Sequence, residues 1–305
     1  MRFVPTPGPP DSSPSAWPPL REVIARHGLT ARRSLGQHFL MDKNLIARSV
    51  GCAGDLQRRQ VVEVGPGPGG LTRGLLDAGA AQLVAIELDP RAATATRELI
   101  PFAGGRLAVI EADALKLDAA TLVQPPRQIV ANLPYNVATP LLIGWLRQAG
   151  LFEQMTLMFQ QEVAERICAA PGAEAYGRLS VLAQWLCEAE IVVRIPPRAF
   201  VPPPRVWSAV VRLRPQVEQP EPSEIRAMER LTEAAFGQRR KMLRSSLRAL
   251  GGEELLAEVD IAPSRRAEML TVAEYARLCR ALASNRPTAW YGGPGSPRPA
   301  SRGSR

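Results

Sequence analysis

The sequence predicts an α/β protein with a doubly wound, mostly parallel sheet that ends in an antiparallel strand, followed by a small α-helical domain. Three observations support this fold class. Short apolar runs alternate with helical segments over the first part of the chain, as in sheets covered by helices on both faces. A glycine-rich turn follows the first run, and the pattern becomes purely helical after residue 215.

The candidate strands are seven apolar runs, at 60–64, 83–86, 106–110, 128–131, 154–160, 190–195 and 207–213. The first five alternate with helical segments such as 71–78, which predicts parallel strands joined by crossover helices. The last two are separated only by the proline-rich stretch 195–205, which leaves no room for a helix. We therefore expect these two strands to pair antiparallel.

The domain organisation follows from changes in composition. Residues 1–20 are rich in proline and predict a disordered extension, while 285–305 combine Gly, Pro, Ser and Arg in a disordered basic tail. Between them we expect an α/β domain at 21–215 and a helical domain at 216–284. The helices predicted for the second domain cover 224–236, 239–250 and 272–282.

Composition excludes some classes of function but does not identify the function. The chain has 305 residues and a formal net charge of +9, which favours a polyanionic partner, although an arginine-rich proteome would also raise the charge. No apolar run approaches the length of a membrane span, and the proline-rich start is unlike a secretion signal, so a cytoplasmic protein is expected. The four cysteines are isolated and only two histidines accompany them, so no metal site is expected.

The glycine-rich turn predicts a nucleoside site. Gly65, Gly67 and the Gly69-Gly70 pair satisfy both the dinucleotide pattern and the G-x-G-x-G pattern of S-adenosylmethionine (SAM) enzymes. Glu87 ends the next apolar run, at about the spacing of an acid that accepts both ribose hydroxyls. The turn alone leaves NAD and SAM open, and Glu87 could also be an acid that merely ends a strand.

The tetrapeptide Asn132-Leu133-Pro134-Tyr135 favours methyl transfer over hydride transfer. It follows the apolar run 128–131, where open α/β sheets bind their ligands. The Asn132 oxygen and a neighbouring carbonyl could accept both N–H bonds of an adenine amine, and Pro134 would hold that carbonyl in place. Tyr135 offers a face for the base, although Asn and Pro also occur in ordinary turns.

A basic segment in the helical domain is a candidate RNA contact. Its five cations are Arg239, Arg240, Lys241, Arg244 and Arg248. They are interleaved with Met242, Leu243 and Leu247, so one helix could pack with its apolar side and face phosphate with the other. The alternative is an ordinary solvated face. Arg32 and Arg33 could extend the same surface.

Five motifs in this order resemble the ribosomal RNA adenine N6-dimethyltransferase family, and in particular its bacterial small-subunit (16S) members, the dimethyladenosine transferases. They are Ser34-Leu35-Gly36-Gln37-His38-Phe39-Leu40, the glycine loop, Asn132 to Asn136, the stretch from Phe200 to Val211, and Arg239 to Arg244. The resemblance covers about residues 20 to 283. Ser245 departs from it, because the family often has Asn after the basic stretch.

The resemblance implies a class I, Rossmann-like SAM-dependent methyltransferase domain and an RNA-binding helical domain. The implied cofactor contacts are His38, Leu40, Gly65, Gly67, Glu87, Asp113 and Asn132, with Asp113 on the adenine amino group. The expected catalytic residues are Asn132, Leu133, Pro134, Tyr135 and Phe200. The target base would leave its stack, with Tyr135 on one face and Phe200 on the other, unless Phe200 is only a packing aromatic.

The implied activity is N6,N6-dimethylation of two adjacent adenosines in the 3′-terminal hairpin loop of 16S rRNA, by a monomer acting in ribosome biogenesis. Catalysis should come mainly from alignment of nucleophile, methyl carbon and leaving sulfur, since a sulfonium is a good leaving group and no strong general base is needed. Three alternatives stay open. These are a large-subunit (23S) rRNA adenine methyltransferase, a DNA adenine methyltransferase, for which the chain has little room, and an assembly checkpoint protein with secondary methylation.

Overall fold

The computed structural model describes residues 17–29 and 37–284. It confirms the predicted fold class, an α/β domain with a mostly parallel sheet followed by helices. The chain divides into two compact units, with the division between Gln219 and Pro220 and thus close to the boundary predicted after Pro215. Arg32, Arg33 and the 34–36 part of the first motif lie outside the described residues, as do 1–16 and the tail at 285–305.

The first unit contains eight helices and nine strands within the described residues. In chain order they are α1 (Leu20–Arg26), β1 (Phe39–Leu40), α2 (Lys43–Gly51), β2 (Gln60–Val64), α3 (Gly70–Asp77), β3 (Gln82–Glu87), α4 (Pro90–Arg97), β4 (Leu107–Glu111), α5 (Ala119–Leu122), β5 (Arg127–Asn132), α6 (Ala138–Leu146), β6 (Gln154–Gln160), α7 (Gln161–Cys168), α8 (Arg178–Leu186), β7 (Cys187–Ile195), β8 (Phe200–Val201) and β9 (Ser208–Pro215).

The main sheet has the strand order β4-β3-β2-β5-β6-β9-β7. The first five strands are parallel, and β9 pairs antiparallel with both β6 and β7. The predicted parallel strands and the predicted antiparallel pairing of the last two are therefore confirmed. Central strands such as β2 and β5 are buried over nearly all their length, because helices cover both faces of a parallel sheet.

The strand order places a crevice at the carboxyl ends of β2 and β5. The chain passes from β2 through α3 to β3 on one side, whereas β5 lies on the other side of β2. Crossover helices leave the sheet in opposite directions at such a point, and the loops after the two strands separate. The glycine loop follows β2 and Asn132 ends β5, so the two sequence motifs face one crevice.

A second, two-stranded sheet brings a distant segment to the same edge. Strand β1 pairs antiparallel with β8, with Phe39 opposite Val201 and Leu40 opposite Phe200. Because β8 begins the stretch from Phe200 to Val211, this pairing fixes the first motif beside the fourth.

Trp17 and Pro18, which fall within the predicted extension 1–20, contact the α/β domain. The indole of Trp17 donates to Asp77 Oδ1 at 2.9 Å, and Arg73 Nη1 donates to the carbonyl of Pro18 at 2.6 Å. Helix α1 then starts at Leu20, where the Pro-rich composition ends. These contacts depend on partners more than fifty residues away, which composition does not reveal.

The second unit is helical, with α9 (Pro222–Gly237), α10 (Leu243–Ser246), α11 (Gly252–Glu258) and α12 (Val272–Ser284). The single helix predicted over 239–250 is wrong. Residues 239–241 form a turn, Met242 is extended and bridges Arg266, and only α10 and a 3-10 turn at Arg248–Leu250 are helical. The Leu243 N–H donates to Arg265 O at 2.8 Å, so pairing with a distant loop replaces the first helical turn.

Candidate functional site

The glycine loop lines one wall of a pocket at the crevice. Gly65, Gly67 and Gly69 all have positive φ, at 70°, 57° and 85°, a backbone conformation that residues with a Cβ rarely adopt. A Cβ at Gly67 would lie 3.0 Å from the ring of Phe39, and one at Gly65 would lie 3.2 Å from Pro134. The loop is thus closely packed between the first motif and the Asn132 motif, and only glycine fits there.

Two side chains hold Gly67 from opposite sides. Its N–H donates to Glu87 Oε2 at 3.0 Å, and its carbonyl accepts from Thr96 Oγ1 at 2.9 Å. Thr96 is fully buried on α4, and sequence reasoning missed it because nothing in that helical segment marks the residue. The backbone groups of the loop are therefore fixed before any ligand binds.

Glu87 is buried at the carboxyl end of β3, with 6% of its surface exposed, and it lines the pocket. Its Oε1 accepts the N–H groups of Leu88 and Asp89, both at 2.9 Å. Burial raises the pKa of this carboxyl, while the three backbone N–H bonds oppose that rise. Oε1 thus accepts two N–H bonds, whereas Oε2 accepts only that of Gly67 and keeps a second lone pair, so Glu87 can accept a further hydrogen bond from a diol in the pocket.

A second carboxyl lies behind the loop at Glu63. One oxygen accepts from Thr72 Oγ1 at 2.8 Å, while the other is buried without a hydrogen-bond partner. Burial raises the pKa of Glu63 to about 8, and the nearby Glu87 contributes to the rise. A protonated Glu63 leaves Glu87 as the charged group of the pair. Sequence reasoning missed Glu63, although an acid inside the run Val61-Val62-Glu63-Val64 was a visible signal.

The far end of the pocket is suited to a flat, amine-bearing group. Leu88 and Leu115 line it and are 55% and 48% exposed. Asp113 lines it too, and its Oδ1 accepts the Leu115 N–H at 3.0 Å. Two exposed leucines beside a carboxylate provide apolar faces and an acceptor, the combination that an adenine ring with an amino group requires.

The opposite end carries the predicted catalytic tetrapeptide. Asn132 Nδ2 donates to the carbonyl of His38 at 3.4 Å, which directs the amide nitrogen away and leaves Oδ1 as an acceptor. The ring of Tyr135 lies 5.5 Å from that of His38, and its hydroxyl is 2.6 Å from Ser208 Oγ. Asn132 and Tyr135 are thus both fixed by partners outside the tetrapeptide, and both line the pocket.

The pocket brings together all seven predicted cofactor contacts and four of the five predicted catalytic residues. The cofactor contacts in its lining are His38, Leu40, Gly65, Gly67, Glu87, Asp113 and Asn132, and the catalytic residues are Asn132, Leu133, Pro134 and Tyr135. Leu133 is almost fully buried, with 1% of its surface exposed. Its side chain therefore belongs to the wall behind the site.

Phe200 is the predicted catalytic residue that this structure does not bring to the pocket. Its surface is 2% exposed, and its ring belongs to the core cluster that also contains Leu40, Val130 and Val210. Its backbone pairs with Leu40 across the small sheet. The expected second stacking face is therefore corrected to a packing position, because β1–β8 pairing turns this side chain into the core.

The five predicted RNA-contact cations are exposed in the second unit. Arg239, Arg240 and Lys241 lie in the turn after α9, Arg244 lies on α10, and Arg248 begins the 3-10 turn. Arg244 makes one long ion pair, 3.9 Å, with Glu253. Leu243 and Leu247 are fully buried, so the segment packs with its apolar residues and exposes its basic ones.

The described residues contain no group of three His, Cys, Asp or Glu side chains arranged to hold a metal ion. All four cysteines are free. Within the described part of the chain, no helix has the length and apolar character needed to cross a membrane.

Comparison with protein families matches residues 28–284 to the model described as "Ribosomal RNA adenine dimethylase". Among curated proteins, "Ribosomal RNA small subunit methyltransferase A" of Gluconobacter oxydans is 59% identical over 277 residues, covering 91% of each chain. The protein of that name from Paramagnetospirillum magneticum is 57% identical over 266 residues, covering 87% of this chain and 95% of its own.

Two solved structures have the same fold. The dimethyladenosine transferase from Plasmodium falciparum matches with a TM-score of 0.68 at 24% identity, covering 79% of this chain and 96% of its own. The 23S rRNA methyltransferase ErmE matches with a TM-score of 0.61 at 30% identity, covering 80% of this chain and 99% of its own.

Proposed function

This chain belongs to the ribosomal RNA adenine dimethylase family, and we propose that its substrate is the 16S rRNA of the small ribosomal subunit. It is a SAM-dependent rRNA adenine dimethyltransferase. The proposed product is N6,N6-dimethyladenosine at two adjacent positions of the 3′-terminal hairpin loop, made by a monomer during ribosome biogenesis. The relatives at 59% and 57% identity carry the small-subunit name, whereas the 23S enzyme ErmE is 30% identical.

The cofactor fits the pocket on three structural grounds. Gly65 and Gly67 line the pocket without a side chain, so a ligand can approach the backbone of the loop closely. Glu87 is positioned to accept the ribose hydroxyls, and Asp113 to accept the adenine amino group. When bound, SAM supplies a methyl group on a sulfonium, a good leaving group that needs no activation by the protein.

The proposal rests mainly on the orientation of the Asn132 amide, which places the methyl acceptor at that end of the pocket. Asn132 Oδ1 is left as an acceptor by the bond from Nδ2 to His38, so it can take one N–H of an adenine amine. Accepting that N–H favours the tetrahedral nitrogen that attack requires. Tyr135 offers an aromatic surface for the extruded base, whose stacking there is worth about 1–3 kcal/mol.

Alignment then accounts for most of the rate. The acceptor amine is fixed by Asn132 and Tyr135, while the cofactor end is fixed by Glu87 and the glycine loop, so both reactants are held in one pocket. Such orientation can contribute about 7–11 kcal/mol in favourable cases. No general base is required, because the methylated ammonium product loses its proton readily to water. After one transfer the amine keeps one N–H for a second round.

The basic segment of the second unit is proposed to contact RNA phosphate. Its five cations, from Arg239 to Arg248, are exposed, while the side chains of Leu243 and Leu247 are buried and hold the segment in place. Backbone contacts of this kind position a substrate without reading its sequence. Which base is methylated would then depend on the pocket and on its immediate border.

The experiment that tests the proposed substrate is a tritium-transfer assay with labelled SAM. Unmethylated small subunits and large subunits are offered in parallel, and the modified base is mapped in the labelled RNA. We expect label in two neighbouring adenosines of small-subunit RNA only. Label confined to large-subunit RNA would instead favour the activity named for ErmE.

A further inference from the structure

The segment between β8 and β9, residues 202–207, borders the methyl-acceptor end of the pocket. At its start, the ring nitrogen Nδ1 of His38 lies 2.8 Å from the carbonyl oxygen of Pro202. Just after its end, Ser208 Oγ lies 2.6 Å from the Tyr135 hydroxyl. His38 and Tyr135 both line the pocket, so this border segment is attached at each end to the pocket wall.

The border segment exposes a large aromatic side chain. Trp207 is 48% exposed and Val206 is 44% exposed, whereas Ser208 directly after them is fully buried. The carbonyl of Trp207 accepts the N–H of Gln161 at 2.9 Å, which fixes the backbone at this point. Trp207 precedes the first residue of β9, so it stands beyond the sheet edge on which the pocket opens. Such a half-exposed indole on a fixed backbone resembles a binding surface more than a packing residue.

The charge of the border segment favours a polyanion. Arg205 is exposed, and its guanidinium makes no ion pair with any described residue. Prolines at 202, 203 and 204 restrict φ and leave few alternative backbone conformations. The segment thus presents an aromatic ring and a free cation from a stiff support, the combination by which proteins hold single-stranded nucleic acid.

We propose that Trp207 stacks on the nucleotide next to the target adenosine, with Arg205 on the adjoining phosphate. The inference rests on the proposed function, in which the substrate contains two adjacent adenosines. While one of them occupies the Asn132 end, the other lies one nucleotide away, at the border of the pocket. Extrusion of the target base removes one stacking partner from its neighbour, and the indole of Trp207 replaces it.

This role also suits a substrate with two targets. Stacking tolerates any base, because every base has a π-face, so Trp207 can hold either neighbour. The same border segment therefore serves whichever adenosine is methylated first. The cofactor is not expected to compete for the indole, because Trp207 is not among the residues that line the pocket.

The test compares Trp207→Leu, which keeps an apolar side chain without a ring, with Trp207→Phe, which keeps a ring. Val217→Ala is the control, because Val217 is a fully exposed apolar residue after the opposite end of β9. For Trp207→Leu, we expect kcat/KM for unmethylated small subunits to fall roughly 5- to 150-fold, as expected from loss of one stacked base. Trp207→Phe should retain most activity, and SAM affinity should be unchanged in all three.

Two further measurements identify RNA as the partner. A single-stranded oligoribonucleotide with two adjacent adenosines should quench tryptophan fluorescence in the parent protein, and this part of the quenching should be absent from Trp207→Phe. Arg205→Gln should lower the slope of log K against log salt for that oligonucleotide by about 0.7.

Four results would overturn the inference, and they are distinguishable. Parental kinetics in Trp207→Leu would show that the indole contacts no substrate. Equal losses in the Leu and Phe variants, together with a lower melting temperature, would assign Trp207 a structural role. A loss on whole subunits without quenching by RNA would indicate a ribosomal protein as partner. If the parent enzyme leaves small subunits unmethylated, the proposed function fails and the inference falls with it.

Discussion

The backbone N–H of Gly67 donates a 3.0 Å hydrogen bond to Glu87 Oε2, so the glycine loop after β2 is fixed by the acid at the end of β3. The same carboxylate therefore shapes the loop and is presented to the pocket. Thr96 completes the arrangement from the other side, at the carbonyl of Gly67. The conformation of the loop is therefore set before the cofactor binds. Less conformational entropy is then lost on binding.

Glu87→Gln should weaken SAM binding roughly 10- to 150-fold, because the pocket loses a charged acceptor worth about 1.5–3 kcal/mol. Glu111→Gln is the matched control, since Glu111 is the register partner of Glu87 on β4 but is exposed and ion-paired with Arg97. Titration calorimetry with SAM measures both variants. Equal affinities in the two would contradict the role given to Glu87.

Asn132→Ala should separate chemistry from binding. Without its acceptor oxygen, methyl transfer in single turnover should slow by about 100- to 1000-fold, the usual effect of removing one oriented polar group. Association with small subunits should persist, because the phosphate contacts are elsewhere. Asn44→Ala, at an exposed position on α2, is the control. A parental rate in Asn132→Ala would show that the amide does not orient the amine.

Glu63 should make folding stability depend on pH in a predictable direction. Its pKa is raised by burial to about 8 in the folded protein, so the native state keeps a proton that the unfolded chain releases near pH 4.5. The stabilisation contributed by protonated Glu63 is fully present below pH 4.5 and is lost as the pH rises toward 8. The loss is roughly 1.4 kcal/mol for each unit by which the pKa is raised.

Glu63→Gln should remove this dependence, since the amide stays neutral. Urea unfolding of the parent and the variant between pH 5 and pH 9 should give similar stabilities at pH 5 and a more stable variant at pH 9. Curves that run parallel over the whole range would mean that Glu63 is ionised in the folded protein.

Arg240→Gln should weaken association with small subunits and lower the salt slope, because fewer counterions are released when a phosphate contact is lost. For a contact to single-stranded RNA the slope should fall by about 0.7. Arg58→Gln is the control, since Arg58 is exposed just before β2, at the sheet edge opposite the pocket. SAM affinity should stay at the parental value in both. If the salt titrations of Arg240→Gln and the parent protein were identical, the basic segment would be a solvated surface without an RNA contact.

The sequence by itself determined the fold class, the seven strands of the main sheet and most of the pocket. Apolar runs, the glycine loop and the Asn132 tetrapeptide are local patterns, because period, turn chemistry and strand ends depend on neighbouring residues. A parallel sheet then places the carboxyl ends of β2 and β5 at one edge. That is why Glu87 and Asn132 could be assigned to one site from the sequence, whereas Asp113 was assigned by the family resemblance.

Tertiary structure alone decided the features that depend on distant partners. Phe200 turns into the core because β8 pairs with β1, and the predicted helix at 239–250 is interrupted because Met242 and Leu243 pair with 265–266. Thr96 reaches Gly67 across 29 residues, and Ser208 reaches Tyr135 across 73. Hydrogen bonds between segments so far apart leave no repeating pattern in the sequence. Only the packed fold brings their donors and acceptors together.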